Sequence, residues 1–198
     1  MNYSVEEIFL MNNDKLLKNV ILKNKSISFK PSNTPYFHSL VNIIISQFIS
    51  TSAATAISKK MLSHFKTVYF SPSQFKNLDV SEIKSLGLST NKSRSIKDIT
   101  DIFSESNLSY KFNKLSESEI DELILSIYGL GPWSLQMFKL FRLGYKDIFS
   151  GKDAALRKAM EMANMVKPGS PETYYDTYAQ KWSPYRSIAS IHLWESTN

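Results

Sequence analysis

The sequence predicts an all-α fold. Three observations carry that prediction. Apolar residues recur at the i, i+3, i+4 spacing of a helix face. No segment shows the sustained alternation of a convincing strand. Glycines and prolines fall between the periodic segments and punctuate them.

Taken in order, residues 18–29, "KNVILKNKSISF", are the one weak strand candidate. From residue 36, Phe37, Leu40, Val41, Ile44, Ile45, Phe48 and Ile49 line one face of a buried helix. Ala53, Ala54, Ala56 and Ile57 either continue that helix or follow a turn at "SQFIST". Residues 91–105 place Ile96, Ile99, Ile102 and Phe103 on a further helix, with Asn91 as its expected N-cap. Residues 117–128 bring Ile120, Leu123, Ile124 and Ile127 to one face. The next helix starts at Pro132, which suits a first helical position because no N–H is needed there, and runs to about Leu143 before Gly144. Another begins near Asp153, with Leu156, Ala159, Met160 and Ala163 on one side. After the break at 167–171, "KPGSP", a last helix is expected with Ser183 as N-cap and Pro184 at its first position. Residues 81–93 echo the 126–134 stretch in outline, which points to a second, degenerate helical hairpin.

Composition narrows the chemistry. The 198 residues include 24 Lys+Arg against 18 Asp+Glu, a formal net charge of +6, which favours a polyanionic partner. The absence of cysteine removes thiolate zinc sites, Cys-ligated iron–sulfur clusters and a Cys nucleophile. His38, His64 and His192 have no metal-ligand spacing. The N-terminus lacks the pattern of a secretory signal, and no apolar run approaches the ~18 residues of a spanning helix, so the expectation is a soluble intracellular protein away from membranes.

The stretch that carries function is "SIYGLGPWSLQMFKLF", residues 126–141. A dinucleotide-binding glycine turn needs a preceding strand and a third glycine; a helix precedes this one, and Ser134 stands where the glycine would be. Two readings fit the residues. One is a plain inter-helix turn with glycines at positive φ. The other is a helix-hairpin-helix, in which the N–H groups of Gly129, Gly131 and the next helical turn hold one DNA phosphate, with the Ser134 hydroxyl as an added donor.

Residues 128–160 resemble the helix-hairpin-helix DNA glycosylase superfamily, in its alkylpurine branch of DNA-3-methyladenine glycosylase II type. That branch typically reads Gly-Ile-Gly-Pro/Arg-Trp-Thr-Ala; here Gly129-Leu-Gly-Pro-Trp-Ser stands in its place. "KDIFSGKD" resembles the approach to the catalytic Asp, which falls on Asp153. "PYFHSLVNIIISQFISTSAATAISKKM" resembles the first core helix, "GLSTNKSRSI" the Gly-Leu-Ser-x-x-Lys segment, and "KWSPYRSIASIHLWE" the Trp-x-Pro-Trp-Arg-Ser close. The four ordered blocks span about residues 35–195. Ser46, Phe48, Lys152 and Met137 depart from the usual residues, which touches substrate range more than reaction class.

The resemblance implies a two-lobed helical fold with a DNA cleft between lobes. The boundaries expected here are a central lobe over about residues 35–115, with 1–34 and 116–198 supplying the hairpin and second lobe. It implies a monofunctional enzyme of base excision repair that hydrolyses the N-glycosidic bond of alkylated purines in double-stranded DNA, acting as a monomer. Asp153 is implied as the catalytic carboxylate, although read alone it is a helix N-cap. Trp133, Trp194, Tyr128 and Met137 are implied to line the base pocket. Phe48 matches the intercalating position, and its spacing fits a core residue equally well. Lys92 and Arg94, near a helix start, meet either phosphates or solvent. Arg157 and Arg186 match arginines that serve structure. Bifunctional relatives carry Lys where this chain has Trp133, so strand cleavage through a Schiff base is not expected. No cofactor is expected, apart from the monovalent cation that the family implies on backbone carbonyls of Leu125, Ile127 and Leu130. Two rival readings are an inactive DNA-binding module and a glycosylase for another lesion, such as uracil or a deaminated purine.

Overall fold

A computed structural model describes residues 2–105 and 108–197, except for the side chains of residues 105, 109 and 110. The described residues contain helices and no strand. They divide into two units: Asn33–Phe138, and a terminal unit made from Met1–Ser32 with Lys139–Asn198. The boundary expected near residue 115 therefore falls at 138/139, and the hairpin belongs to the central unit. The reason is packing: the helix that follows the hairpin contacts the first core helix, so the turn is built onto the central core.

In the terminal unit, α1 (Val5–Asn13) is followed by α2 (Lys15–Asn24), which takes up the first part of the weak strand candidate at 18–29. Asp14 makes the difference. Its carboxylate accepts from the N–H groups of Leu16 at 2.9 Å and Leu17 at 3.2 Å, starting a helix that buries Leu17 and Ile21 one turn apart. The stretch after Asn24 is neither helix nor strand. The same Asp14 accepts from the indole N–H of the fully buried Trp182 at 2.9 Å.

In the central unit, α3 (Tyr36–Ser46) buries Phe37, Leu40, Val41, Ile44 and Ile45 as the spacing predicts. It stops at Ser46, and α4 (Thr51–His64) starts afresh behind a Ser50 cap, so "SQFIST" is a turn. Two short helices, α5 (Pro72–Phe75) and α6 (Val80–Ser85), lead to α7 (Thr90–Glu105). Gly87, at φ +106, sits between α6 and α7, and these two helices pack on each other. The echo at 81–93 is thus a helix–turn–helix. Asn91 lies inside α7 rather than at its cap; the Ser89 hydroxyl, two residues earlier, accepts from Lys92 N–H at 3.4 Å. The helices α8 (Leu108–Lys111) and α9 (Glu117–Ser126) complete the approach to the hairpin.

Beyond it, α10 (Pro132–Phe138) passes into a π-helical turn, Lys139–Leu143, and Gly144 at φ +77 ends the run. Then come α11 (Ala154–Met162), α12 (Glu172–Ala179) and α13 (Arg186–Glu195). The last helix starts at Arg186, two residues later than Ser183 as cap would require. The Ser183 hydroxyl donates to Asp147 at 2.9 Å instead, and a turn closed by Tyr185 N–H on the Trp182 carbonyl at 2.8 Å intervenes. The Ser183–Pro184 bond is cis.

Glu7 and His192 are both fully buried and lie 3.1 Å apart. Burial alone would raise the Glu7 pKa. Hydrogen bonds from Ile27 and Ser4 N–H and the Ser26 hydroxyl outweigh it and hold Glu7 below the usual carboxylate range. Burial lowers the His192 pKa despite Glu7, and it lowers that of His38. A histidine buried neutral binds its proton more tightly once unfolded. Its share of stability is whole above pH 6.5 and is lost as pH falls below that value. The Glu7 share is present above pH 4.5 and is lost as pH falls through its lower folded value. The thermal midpoint should therefore decline in two phases on acidification, starting below pH 6.5 and steepening below pH 4.5. A midpoint that rises between those two values would contradict a neutral, buried His192.

Candidate functional site

The hairpin is built from residues 127–131 between α9 and α10. Ile127 N–H donates to the Ile124 carbonyl, and Leu130 N–H to the Ile127 carbonyl at 3.1 Å, which tightens the turn. Tyr128 N–H donates to the Asp98 carboxylate on α7 at 2.7 Å. The Gln47 amide donates to the Gly129 carbonyl at 2.9 Å and to the Ser134 hydroxyl at 3.0 Å. The turn is thus braced from α7 and from the end of α3.

The two glycines have different reasons to be there. Gly129 has φ +74, and a Cβ on it would meet Ser95 Oγ at 2.5 Å. Its glycine identity follows from backbone conformation and a close approach to α7. Gly131 has ordinary φ, and a Cβ there would meet nothing within 4 Å. The N–H groups of Gly129 and Gly131 have no acceptor among the described residues. They lead directly into the α10 N-terminus, where the helix dipole favours an anion.

Ser134 differs from its expected role as an exposed phosphate donor. It is only 2% exposed, and its hydroxyl is engaged by Gln47. Lys92 differs too: its ammonium donates to the Ile45 carbonyl at 2.7 Å, covering the end of α3 in place of a phosphate or bulk solvent, and burial lowers its pKa. Arg94 is exposed on α7. Phe48 has φ +58 and is fully exposed at 102%, so the core reading of its spacing does not hold. Tyr128 is half exposed, its hydroxyl bonded to Asn91 at 3.3 Å. Trp133 is partly buried on the first turn of α10, while Met137, 7% exposed, faces the central core.

The terminal unit holds the other candidate side chains, Asp153 and Trp194. Asp153 caps α11, its Oδ1 accepting Leu156 N–H at 2.9 Å and the Trp194 indole N–H at 3.3 Å. The loop before it is held at several points. Asp147 takes a two-point hydrogen bond from Arg186, at 2.7 and 3.0 Å, and this pairing lowers its pKa. Ile148 N–H donates to Ser187 Oγ at 2.9 Å, and Gly151 N–H to Asp176 at 2.7 Å. Arg157 donates to the Gly151 carbonyl at 2.8 Å. A Cβ on Gly151 would collide with the Glu172 carbonyl at the head of α12, so the backbone must be glycine to lie this close. Lys152 is exposed, with its backbone N–H on Ser150 Oγ at 3.3 Å. Among the described residues there is no cluster of His, Asp or Glu that could hold a metal ion.

Sequence reasoning missed Gln47, Asp98, Ser95 and Asp176. Gln47 alone carried a signal: it is a polar residue at the end of an apolar face, inside a matched block.

A model of the HhH-GPD superfamily base excision DNA repair protein matches residues 41–184. The alkylbase DNA glycosidase-like protein mag2 of Schizosaccharomyces pombe is 28% identical over 171 residues, covering 83% of this chain and 79% of the relative. The DNA-3-methyladenine glycosylase 1 of the same organism is 23% identical over 164 residues, covering 81% and 72%. Among solved structures, the S. pombe 3-methyladenine DNA glycosylase Mag1 in complex with abasic DNA superposes with a TM-score of 0.83 at 23% identity, covering 96% of this chain and 95% of that one.

The two glycines should separate on substitution. Gly129→Ala is expected to destabilise the fold by about 1–3 kcal/mol, from positive φ and the Ser95 contact. Gly131→Ala should leave the thermal midpoint near wild type and weaken duplex DNA binding by fluorescence anisotropy. Equal destabilisation by both, or unchanged DNA affinity in Gly131→Ala, would sink this division of roles.

Proposed function

The chain belongs to the HhH-GPD superfamily of base excision DNA repair proteins, and from that premise we propose that it is a monofunctional DNA glycosylase for alkylated purines of the 3-methyladenine and 7-methylguanine type. The observation that carries the proposal is Asp153. It is a carboxylate fixed at the head of α11 and hydrogen-bonded to an indole, in a chain that also presents unpaired hairpin N–H groups.

The reaction would begin with the damaged nucleotide leaving the base stack. The Gly129 and Gly131 N–H groups hold a backbone phosphate, and the open space at Gly131 lets it approach. Phe48, apolar and projecting from the α3–α4 turn, fills the vacated space. An alkylated purine carries positive charge that aromatic faces attract and that the undamaged base lacks; Trp133 and Trp194 are the candidate faces. The C1′–N bond breaks with its electron pair leaving on the base, which departs neutral. Positive charge then develops on the sugar. The Asp153 carboxylate stabilises that charge, orients water toward C1′ and accepts its proton. Trp133 offers no amine for a Schiff base, so hydrolysis ends at the abasic site.

The monovalent cation that the family implies would sit on the carbonyls of Leu125, Ile127 and Leu130. The Leu125 carbonyl accepts no hydrogen bond from a described residue, and that of Ile127 keeps one lone pair beside its bond from Leu130. Such an ion would add positive charge to the phosphate grip.

Wild type should release base from a duplex containing 7-methylguanine, and Asp153→Asn should slow single-turnover release about 10²-fold or more. Undiminished release by Asp153→Asn removes that residue from catalysis, and tight lesion binding without release by wild type favours a binding module. A panel of single-lesion duplexes separates alkylpurines from uracil or deaminated purines. Phe48→Ala should keep the wild-type midpoint, since no packing is lost, and should slow release from duplex more than from single-stranded substrate.

A further inference from the structure

Residues 1–32 precede the segment that the family model matches, yet they form one unit with the part of the chain that carries Asp153. Their last portion, residues 25–32, is neither helix nor strand and follows the end of α2. At its near end, the Ser26 hydroxyl and Ile27 N–H donate to Glu7, both at 2.8 Å. At its far end it closes on the π-helical turn Lys139–Leu143. Ser32 N–H donates to the Phe141 carbonyl at 2.8 Å. The Phe29 ring meets the Phe141 ring edge-on, with centroids 6.2 Å apart at 72°. Pro31 lies against Gly144, where any Cβ would collide with it. The strap therefore grips the π turn at Phe141 and again just past its end.

Phe141 is 42% exposed, which for a phenylalanine fixed at so many points calls for a reason. Its ring stacks on Trp194, with centroids 5.7 Å apart at 27°. Trp194 stands on the last turn of α13, partly buried, and its indole N–H reaches Asp153 Oδ1 at 3.3 Å. A hydrogen bond that long holds only while the indole keeps its orientation, and a stacked ring is what keeps it. The π turn supplies the geometry: one extra residue in the turn frees backbone carbonyls and redirects side chains, and such turns are frequent at functional sites.

We propose that Phe141 is a positioning residue for Asp153: gripped by the strap of residues 25–32, it fixes the Trp194 indole and, through the indole N–H, the orientation of the Asp153 carboxylate. The proposal rests on the reading of Asp153 as the catalytic carboxylate. Phe141 needs no contact with DNA for this role, so its loss acts through the Trp194 indole, chiefly on the rate of bond breaking.

The test compares Phe141→Leu, which keeps apolar volume but loses the stacking ring, with Phe141→Tyr, which keeps the ring. In Phe141→Leu, the indole ¹H–¹⁵N signal of Trp194 should move and broaden while those of Trp133 and Trp182 stay. Base release from a 7-methylguanine duplex at saturating enzyme should fall about tenfold, with the half-saturating concentration unchanged. Phe141→Tyr should restore both readouts. In an Asp153→Asn background, Phe141→Leu should cost nothing further, because the two act through one carboxylate. An unmoved Trp194 signal, an equal loss in the Asp153→Asn background, or a loss confined to half-saturation each overturns the proposal. If wild type releases no base from any lesion duplex, the glycosylase reading falls by itself; the Trp194 signal in Phe141→Leu still decides whether Phe141 sets the indole.

Discussion

Glu7 is the constraint on which the terminal unit depends. A charged carboxylate with no exposed surface would cost several kcal/mol if left without partners. It is tolerated because four groups converge on it: Ser4 N–H, the Ser26 hydroxyl, Ile27 N–H and the His192 ring. Satisfying one charge therefore joins the first helix, the segment after α2 and the last helix, across a separation of 185 residues. Asp14 repeats the device. It caps α2 with one oxygen and binds the indole of Trp182 with the other, 168 residues away. The apolar core of Leu10, Leu17, Ile21, Leu156, Met160 and Leu193 closes around these two anchors.

That frame bears on the chemistry because α13 carries Trp194 and also holds the loop that leads to Asp153. Arg186, Ser187 and Ser190 on α13 bind Asp147 and Ile148, and α12 receives Gly151 through Asp176. The Asp153 carboxylate is thus set by helices on two sides, with only a short loop between them, which is the fixed placement the proposed role requires. The central unit solves its own problem in the same way. A five-residue turn is braced by Gln47 and Asp98 through its backbone, which leaves the N–H groups of Gly129 and Gly131 outside the internal hydrogen bonding.

Much of this was legible in the sequence. The i, i+4 faces of α3 and α9, the proline that opens α10, the glycine that ends its run and the cap at Asp153 are short-range signals, and each lies where the spacing put it. The misreadings share a cause. The weak strand candidate at 18–29 overlooked Asp14, whose capping role shows only when its two N–H partners are seen. Ser183 and Asn91 have the residue types of caps, but a hydroxyl drawn to Asp147 and an earlier start at Thr90 decided otherwise. Ser134 and Lys92, polar residues beside a candidate phosphate site, turned inward to Gln47 and to the end of α3.

The sequence by itself determined the class of fold, the turn at residues 129–131 and the helix cap at Asp153, because periodicity, capping and turn chemistry act over a few residues; their functional reading came from the resemblance. Only the tertiary structure decided what each of those parts does. It separated Gly129, required by Ser95 and by a positive φ, from Gly131, which faces open space. It took Phe48 out of the apolar stripe and left it fully exposed. It paired Trp194 with Asp153, and Phe141 with Trp194. These are contacts between residues far apart in the chain, and a long-range contact leaves no mark in local spacing. It exists only once the helices have packed.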